Sequence, residues 1–408
     1  MRVPPAAGMA ALALAAGLCL AACSSGSSGS GKPSSGGSGT TAASKCGTIP
    51  NTLPQDPDGV IAALPGSLSA LYNGYPTAVY KSAFADWKPK SGSKTVGFLL
   101  SETNNGYQLA LQSILEGMLK GAGYKVDAVT SSDEVTDQVA DFNQMVERKD
   151  ALIVYEPLSS SAFTTAVKNA AKAGIPSISL LNPVASPDTI SLGANDWLQG
   201  AMLASQVAKD IGGKGNVLDV HGISGVGIDI ATYDGVKAVF SQCPDIKAND
   251  TIYDQFADAT AKSGVQTYLE THPQPIAAAL TSGSGATGVL EGFEAAGKTV
   301  PEIANDSMED GELAYWYEHR TSYRGVGITT TPPQLAAATT TLVKDLFAGD
   351  GVKVSAVVLT TPLVTDANVA QWFTKGMTPT STGNAGGPPT LSVLPSSELS
   401  AILSNPSA

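Results

Sequence analysis

Residues 95–129 read TVGFLLSETNNGYQLALQSILEGMLKGAGYKVDAV. Residues 95–100 form a short apolar run of strand length, 108–122 carry apolar side chains at helical spacing, and 125–129 are a second strand-like run. Strand, helix and strand in direct succession make a βαβ unit, which joins two parallel strands through a crossover helix. The alternation continues with a helix over 137–148, a strand over 151–155, a helix over 160–173 ended by Gly174, and strands over 177–181 and 189–192. After a helix over 196–211, closed by Gly212-Gly213-Lys214-Gly215, a second series begins: strand 216–220, helix 228–241, strand 246–253, helix 259–272, strand 277–281, helix 287–296 and strand 302–304. Two series of similar size predict an α/β protein of two lobes. Open parallel sheets bind ligands beyond the carboxyl ends of their strands, so the loops after strands are the places to look for function.

The ends of the chain set its compartment. Arg2 precedes an apolar run over residues 9–22, too short to span a bilayer, which reads as a secretion signal. The run closes on Leu20-Ala21-Ala22-Cys23, the pattern of a bacterial lipoprotein processing site, with Cys23 as the lipidated residue. Residues 24–44 are nearly all Ser, Gly, Thr and Ala and cannot bury enough apolar surface to fold, so they read as a tether. A net charge of −12 and the lack of a polybasic stretch argue against nucleic acid as a partner. With Cys19 in the signal and Cys23 lipidated, Cys46 and Cys243 remain. In an oxidising compartment they can form a disulfide, or stand as two separate thiols. Residues 46–93 hold Tyr72, Tyr75, Tyr80, Phe84 and Trp87 in a Pro- and Gly-rich context and read as an arm packed on the first lobe. The alternative is that these aromatics line a cleft.

Several segments, in order, carry a family pattern. They are Val96 to Tyr107, Gly174-Ile175-Pro176, Gly193-Ala194-Asn195-Asp196 with Gly200, Gly213 to Val217 followed by His221-Gly222, Glu294-Ala295-Ala296-Gly297, Asn305-Asp306, and Leu363 to Val369. From Lys94 to about Trp372 the chain resembles the sugar-type (type I) periplasmic substrate-binding proteins of ABC transporters. The resemblance implies two Rossmann-like lobes joined by a hinge of three strands, with crossings near Asn195, Thr330 and Leu359. It divides the chain into a signal peptide (1–22), a lipidated Cys and tether (23–45), an arm (46–93), a first lobe (94–195 plus 331–359), a second lobe (196–330 plus 360–375) and a C-terminal tail (376–408). It places ligand contacts at Ser101, Asn105 and Tyr107, the aromatic to stack on an apolar ligand face. The family's Asp-Arg pair falls on Leu181-Asn182, its second-lobe Arg on Thr232, its Asn on Ser282 and its hinge Gln on Thr330, while Asp306 is retained. None of these matched positions supplies the planar donor fork with which arginine grips adjacent hydroxyls.

Asp306 can accept two hydroxyl hydrogen bonds, which fits a sugar or polyol, and would also suit a cation. Glu102, Glu156, Asp196 and Asp229 lie in or near loops after strands. Each can be a ligand contact or a solvated carboxylate or helix cap. Gly283-Ser284-Gly285-Ala286-Thr287-Gly288 is a literal G-x-G-x-x-G opening a helix after a strand, with Asp306 beyond it, so an NAD-dependent oxidoreductase is a remote alternative. His221, His272 and His319 belong to no recognisable hydrolase or metal motif. His221, Trp197 and Trp316 are ligand contacts or structural residues. The expectation is a non-enzymatic, monomeric receptor without cofactor or metal, exported and lipid-anchored to the outer face of the cell membrane. It would pass a small polar solute, a sugar or polyol foremost, to an ABC permease. Alternatives are a lipoprotein that senses ligand for a membrane kinase, or a receptor for a cationic, amine or nucleoside ligand.

Overall fold

The computed structural model describes residues 45–92, 94–101, 106–132 and 134–405. Its first sheet has the order β11-β5-β4-β3-β1-β2, with β1 (Thr95–Ser101), β2 (Lys125–Ser131), β3 (Leu152–Tyr155), β4 (Ser177–Leu180), β5 (Ile190–Gly193) and β11 (Ala356–Val358), all parallel. The second has the order β12-β10-β9-β8-β6-β7, with β6 (Lys214–His221), β7 (Asp245–Tyr253), β8 (Ile276–Thr281), β9 (Glu302–Asn305), β10 (Gly325–Ile328) and β12 (Leu363–Val364). There β12 alone runs antiparallel to its neighbour. The helices are α1 (Gly106–Gly121), α2 (Val135–Glu147), α3 (Thr164–Lys172), α4 (Asp196–Asp210), α5 (Gly227–Phe240), α6 (Asp258–Thr271), α7 (Ala286–Ala295), α8 (Asp310–His319), α9 (Pro332–Ala348) and α10 (Ser396–Ile402). The inner strands β3 and β4 are buried along their whole length, as strands covered on both faces must be. Each sheet carries apolar clusters on both faces, which makes each lobe a helix-covered α/β layer structure.

The chain passes from β5 into α4, from β10 into α9 and from β11 into β12, and each passage changes sheet. These are the three hinge strands expected from the sequence. Local chemistry fixes two of them. Asn195 caps α4 by accepting from Leu198 N, while its amide donates to the carbonyls of Leu71 and Asn73 at 2.8 Å each. Thr331 and Gln334 form a reciprocal capping box at the start of α9, with Pro332 at the first helical position.

The segments outside the two sheets are packed rather than trailing. Cys46 and Cys243 are joined by a disulfide, and Ser205 Oγ and Gln242 Nε2 donate to the carbonyls of Gly47 and Thr48, so the arm starts on the second lobe. It then runs to the first lobe, where Tyr72, Tyr75, Val79 and Phe84 join the core. At the C-terminal end, Met377, Ala385 and Leu391 pack on the second lobe and Val393, Leu394, Ile402 and Leu403 on the first. Pro- and Gly-rich composition masked these few apolar anchors in the sequence.

Candidate functional site

A cavity of about 550 Å³ lies between the lobes. Its walls are the segments that follow strands: Glu156 to Leu158 after β3, Leu181 and Asn182 after β4, Gln255 to Ala257 after β7, Gly283 and Ser284 after β8, Asp306 and Ser307 after β9, and Thr329 and Thr330 after β10. Tyr107 and Gln108 at the start of α1, Asp196 and Gln199 at the start of α4, Ile223, Val226 and Ile228 beyond β6, and Asn384 of the C-terminal segment also line it. The location follows the rule for open parallel sheets.

The cavity is apolar in much of its wall and polar at chosen points. Three lining side chains keep a buried oxygen without a hydrogen-bond partner among the described residues: Glu156 Oε2 on the first lobe, Ser307 Oγ on the second and Thr330 Oγ1 at the crossing. These residues are 5%, 6% and 6% exposed. Buried polar atoms are nearly always satisfied, so these three leave hydrogen-bonding capacity in the cavity wall that the described residues do not use. Glu156 Oε1 accepts from Gln108 Nε2 at 2.7 Å, and Tyr107 OH donates to the Thr330 carbonyl at 2.6 Å, tying α1 to the crossing strand. Asp306 accepts from Gly283 N at 2.5 Å and from Thr232 Oγ1 at 3.4 Å.

Backbone strain gathers at the same place. Of the five non-glycine residues with positive φ among those described, Leu181, Gln255 and Phe256 line the cavity and Met308 follows Ser307. The Phe256 ring lies over Gly222 and Gly283, where an added Cβ would come within 1.8 and 2.6 Å of it. Asp254 Oδ1 holds the turn by accepting from Phe256 N at 2.7 Å.

The structure sorts the residues expected from the sequence. Tyr107, Asn182, Asp306 and Thr330 line the cavity. Thr232 and Ser282 are buried behind its wall, Thr232 as a donor to Asp306. Glu102, Asn105 and Cys23 lie outside the described residues, and of Ser101 only the backbone is described. Glu156 and Asp196 line the cavity, whereas Asp229 is turned away, accepting from His221 Nδ1 and Gly222 N at 2.9 Å each. His221 is thus held by Asp229 and stacked on Tyr253. Trp197 is buried against Gly74, and Trp316 donates to Asp366, so both serve packing. None of the five arm aromatics lines the cavity. Phe256 was missed; its signal is an aromatic directly after a parallel strand, in Asp254-Gln255-Phe256.

The G-x-G-x-x-G segment is committed elsewhere. Gly283 N donates to Asp306, Gly285 N and Thr287 N to the two oxygens of Glu309, and Gly288 N to Asp258. Three carboxylates therefore occupy the amides that a pyrophosphate would need, and they would repel it. The one motif behind the oxidoreductase alternative thus presents no free phosphate cradle. Among the described residues no cluster of three His, Cys, Asp or Glu is placed to hold a metal.

Burial raises the carboxyls of this region. Glu156 and Asp306 are pushed up to about 7, and Asp196 well above the usual range by burial and by the nearby Asp306. Asp254 and Glu312 are pushed up to about 8, also by burial. A carboxyl whose folded pKa exceeds its unfolded value of about 4 binds more protons when folded. Its contribution is greatest below that value and is lost as pH rises through 7 to 8. The ligand-free protein is accordingly expected to melt at a higher temperature at pH 5.5 than at pH 8.5. Calorimetry across that range checks it, and a rising melting temperature would contradict it.

A two-lobed α/β chain with three crossing strands and a polar-pointed cavity at the hinge has the architecture of a solute-binding receptor. The chain belongs to the periplasmic binding protein domain family, whose pattern it matches over residues 96–351. It is 26% identical to the ribose import binding protein of Bacillus subtilis over 227 residues, 54% of this chain and 73% of that protein. Among solved structures it is similar to an ABC transporter periplasmic solute binding protein from Actinobacillus succinogenes with bound D-allose (TM-score 0.60, 21% identity, 68% of this chain and 99% of that one). It is also similar to an ABC transporter solute binding protein from Bacillus halodurans with bound myo-inositol (TM-score 0.62, 18% identity, 69% and 98%).

Proposed function

We propose that the protein is the receptor of an ABC importer and captures a small polyhydroxylated solute, a sugar or polyol, in the cavity between its lobes. The observation that carries this reading is a cavity between the lobes whose largely apolar wall carries polar side chains from the first lobe (Glu156, Asn182), the second (Asp306, Ser307) and the crossing (Thr330), so that hydroxyl groups find partners on all three. The solutes named for the relatives, ribose, allose and myo-inositol, support it. Asp306 and Asn182 add acceptors and donors, and Phe256 offers an aromatic face to a sugar's C–H surface. No bond is made or broken in this account: solute capture closes the lobes, and the closed form is the one the permease accepts. Lipidation at Cys23 and the Ser/Gly tether would hold the receptor beside that permease on the outer face of the membrane. A thermal-shift screen against pentoses, hexoses, inositols and alditols tests the reading. A true solute at a hundred times its dissociation constant adds about 2.7 kcal/mol of stability. A screen in which none of these raises the melting temperature while nucleosides or amino acids do would overturn it.

A further inference from the structure

We propose that the solute carries a protonated amine beside its hydroxyl groups, as in an amino sugar or an aminated polyol. The proposal rests on the polyol reading of the same cavity and narrows it. Every charged side chain among the described lining residues is anionic: Glu156 on the first lobe, Asp196 at the first crossing and Asp306 on the second lobe. No Lys, Arg or His lines the cavity among those residues.

The hydrogen bonds these carboxyls do make come from neutral groups: Gln108 to Glu156, and Gly283 N with Thr232 to Asp306. Glu156, one of the lining residues, keeps its Oε2 buried and unpartnered. Asp196 and Asp306 are near enough for the charge of one to burden the other. Burial favours the protonated form of these carboxyls, and no cation among the described lining residues draws them back to the ionised form. A neutral sugar would meet them by hydrogen bonds alone. An ammonium placed among them supplies up to three donors and stabilises their ionised form, so the carboxyls and the ligand pair charge with charge. The neutral groups lining the cavity, Asn182, Gln199, Ser284, Ser307 and Thr330, remain for the hydroxyls.

The test is calorimetric titration of the purified protein at pH 7.5 with matched pairs: galactosamine and galactose, glucosamine and glucose, glucamine and sorbitol. At least one aminated member is expected to bind tenfold or more tighter than its parent. Glu156→Gln and Asp196→Asn, each checked for an unchanged melting profile, should shrink that ratio by tenfold. A parent that binds as tightly as its aminated partner in every pair that binds overturns the amine and leaves the polyol reading standing. Absence of binding by both members of all pairs overturns both. A preference that survives in both variants would place the ammonium away from these carboxyls and overturn the assignment of the site.

Discussion

Replacing Cys46 and Cys243 together by serine is expected to lower the melting temperature by roughly 5 to 10 °C. The two cysteines are 197 residues apart, and closing a loop of that length restricts the unfolded chain by about 5 kcal/mol in the chain-entropy account. The consequence is also local. Cys46 is the point from which the arm leaves the second lobe, with Gly47 and Thr48 held by Ser205 and Gln242, before Tyr72 and Tyr75 enter the core of the first. Freed at Cys46, the arm would keep its anchorage in the first lobe and lose its grip on the second. Differential scanning calorimetry of the double variant, and of the native protein with and without reductant, measures the effect. Equal melting temperatures would mean that the bond restrains little that packing does not already fix.

The second large effect is expected on binding. Phe256→Ala should weaken solute affinity by about 2 kcal/mol, on the order of thirtyfold, because it removes an aromatic face from the cavity wall. Stability should fall less than for an ordinary core truncation, because the ring is only half-buried. The residue sits at φ 57° beside Gln255 at φ 60°, a conformation whose strain costs about 1 to 3 kcal/mol per residue. A chain that accepts this cost twice in succession, with Asp254 bracing the turn, is spending stability on where the ring points. Phe256→Gly separates the two contributions, since glycine relieves the strain while still lacking the ring. It should melt higher than Phe256→Ala and bind equally poorly. Titration calorimetry with any solute that stabilises the native protein provides the comparison. Native affinity in both variants would show that the ring closes the cavity without touching solute.

The fold was legible because buried parallel strands announce themselves. Leu152 to Tyr155 is an unbroken apolar run, and Gly174 and Gly212-Gly213 end helices where positive φ is needed. The hinge crossings near Asn195, Thr330 and Leu359 were implied by the family resemblance, and in the structure caps at Asn195 and Thr331 start the helices entered after two of them. The site was legible in part. Tyr107, Asn182, Asp306 and Thr330 were reached through the family resemblance, and all four line the cavity. Thr232 and Ser282 sit in equivalent stretches yet face inward, because one residue of offset along a helix or strand end turns a side chain from cleft to core. Phe256 and Gln255 depend on a left-handed backbone that no glycine or asparagine signals. The roles of Cys46 and of Val393, Leu394, Ile402 and Leu403 are long-range pairings, which neither periodicity nor composition encodes.

The central claim is that the cavity is where a small solute draws the two lobes together. Small-angle scattering of the native protein, without ligand and with a saturating solute taken from the thermal-shift screen, tests it most directly. The account predicts that the radius of gyration falls on binding, and that Phe256→Ala needs correspondingly more solute to produce the same fall. An unchanged scattering profile at saturation would contradict it, since a solute held by Glu156, Ser307 and Thr330 together cannot leave their lobes where they were.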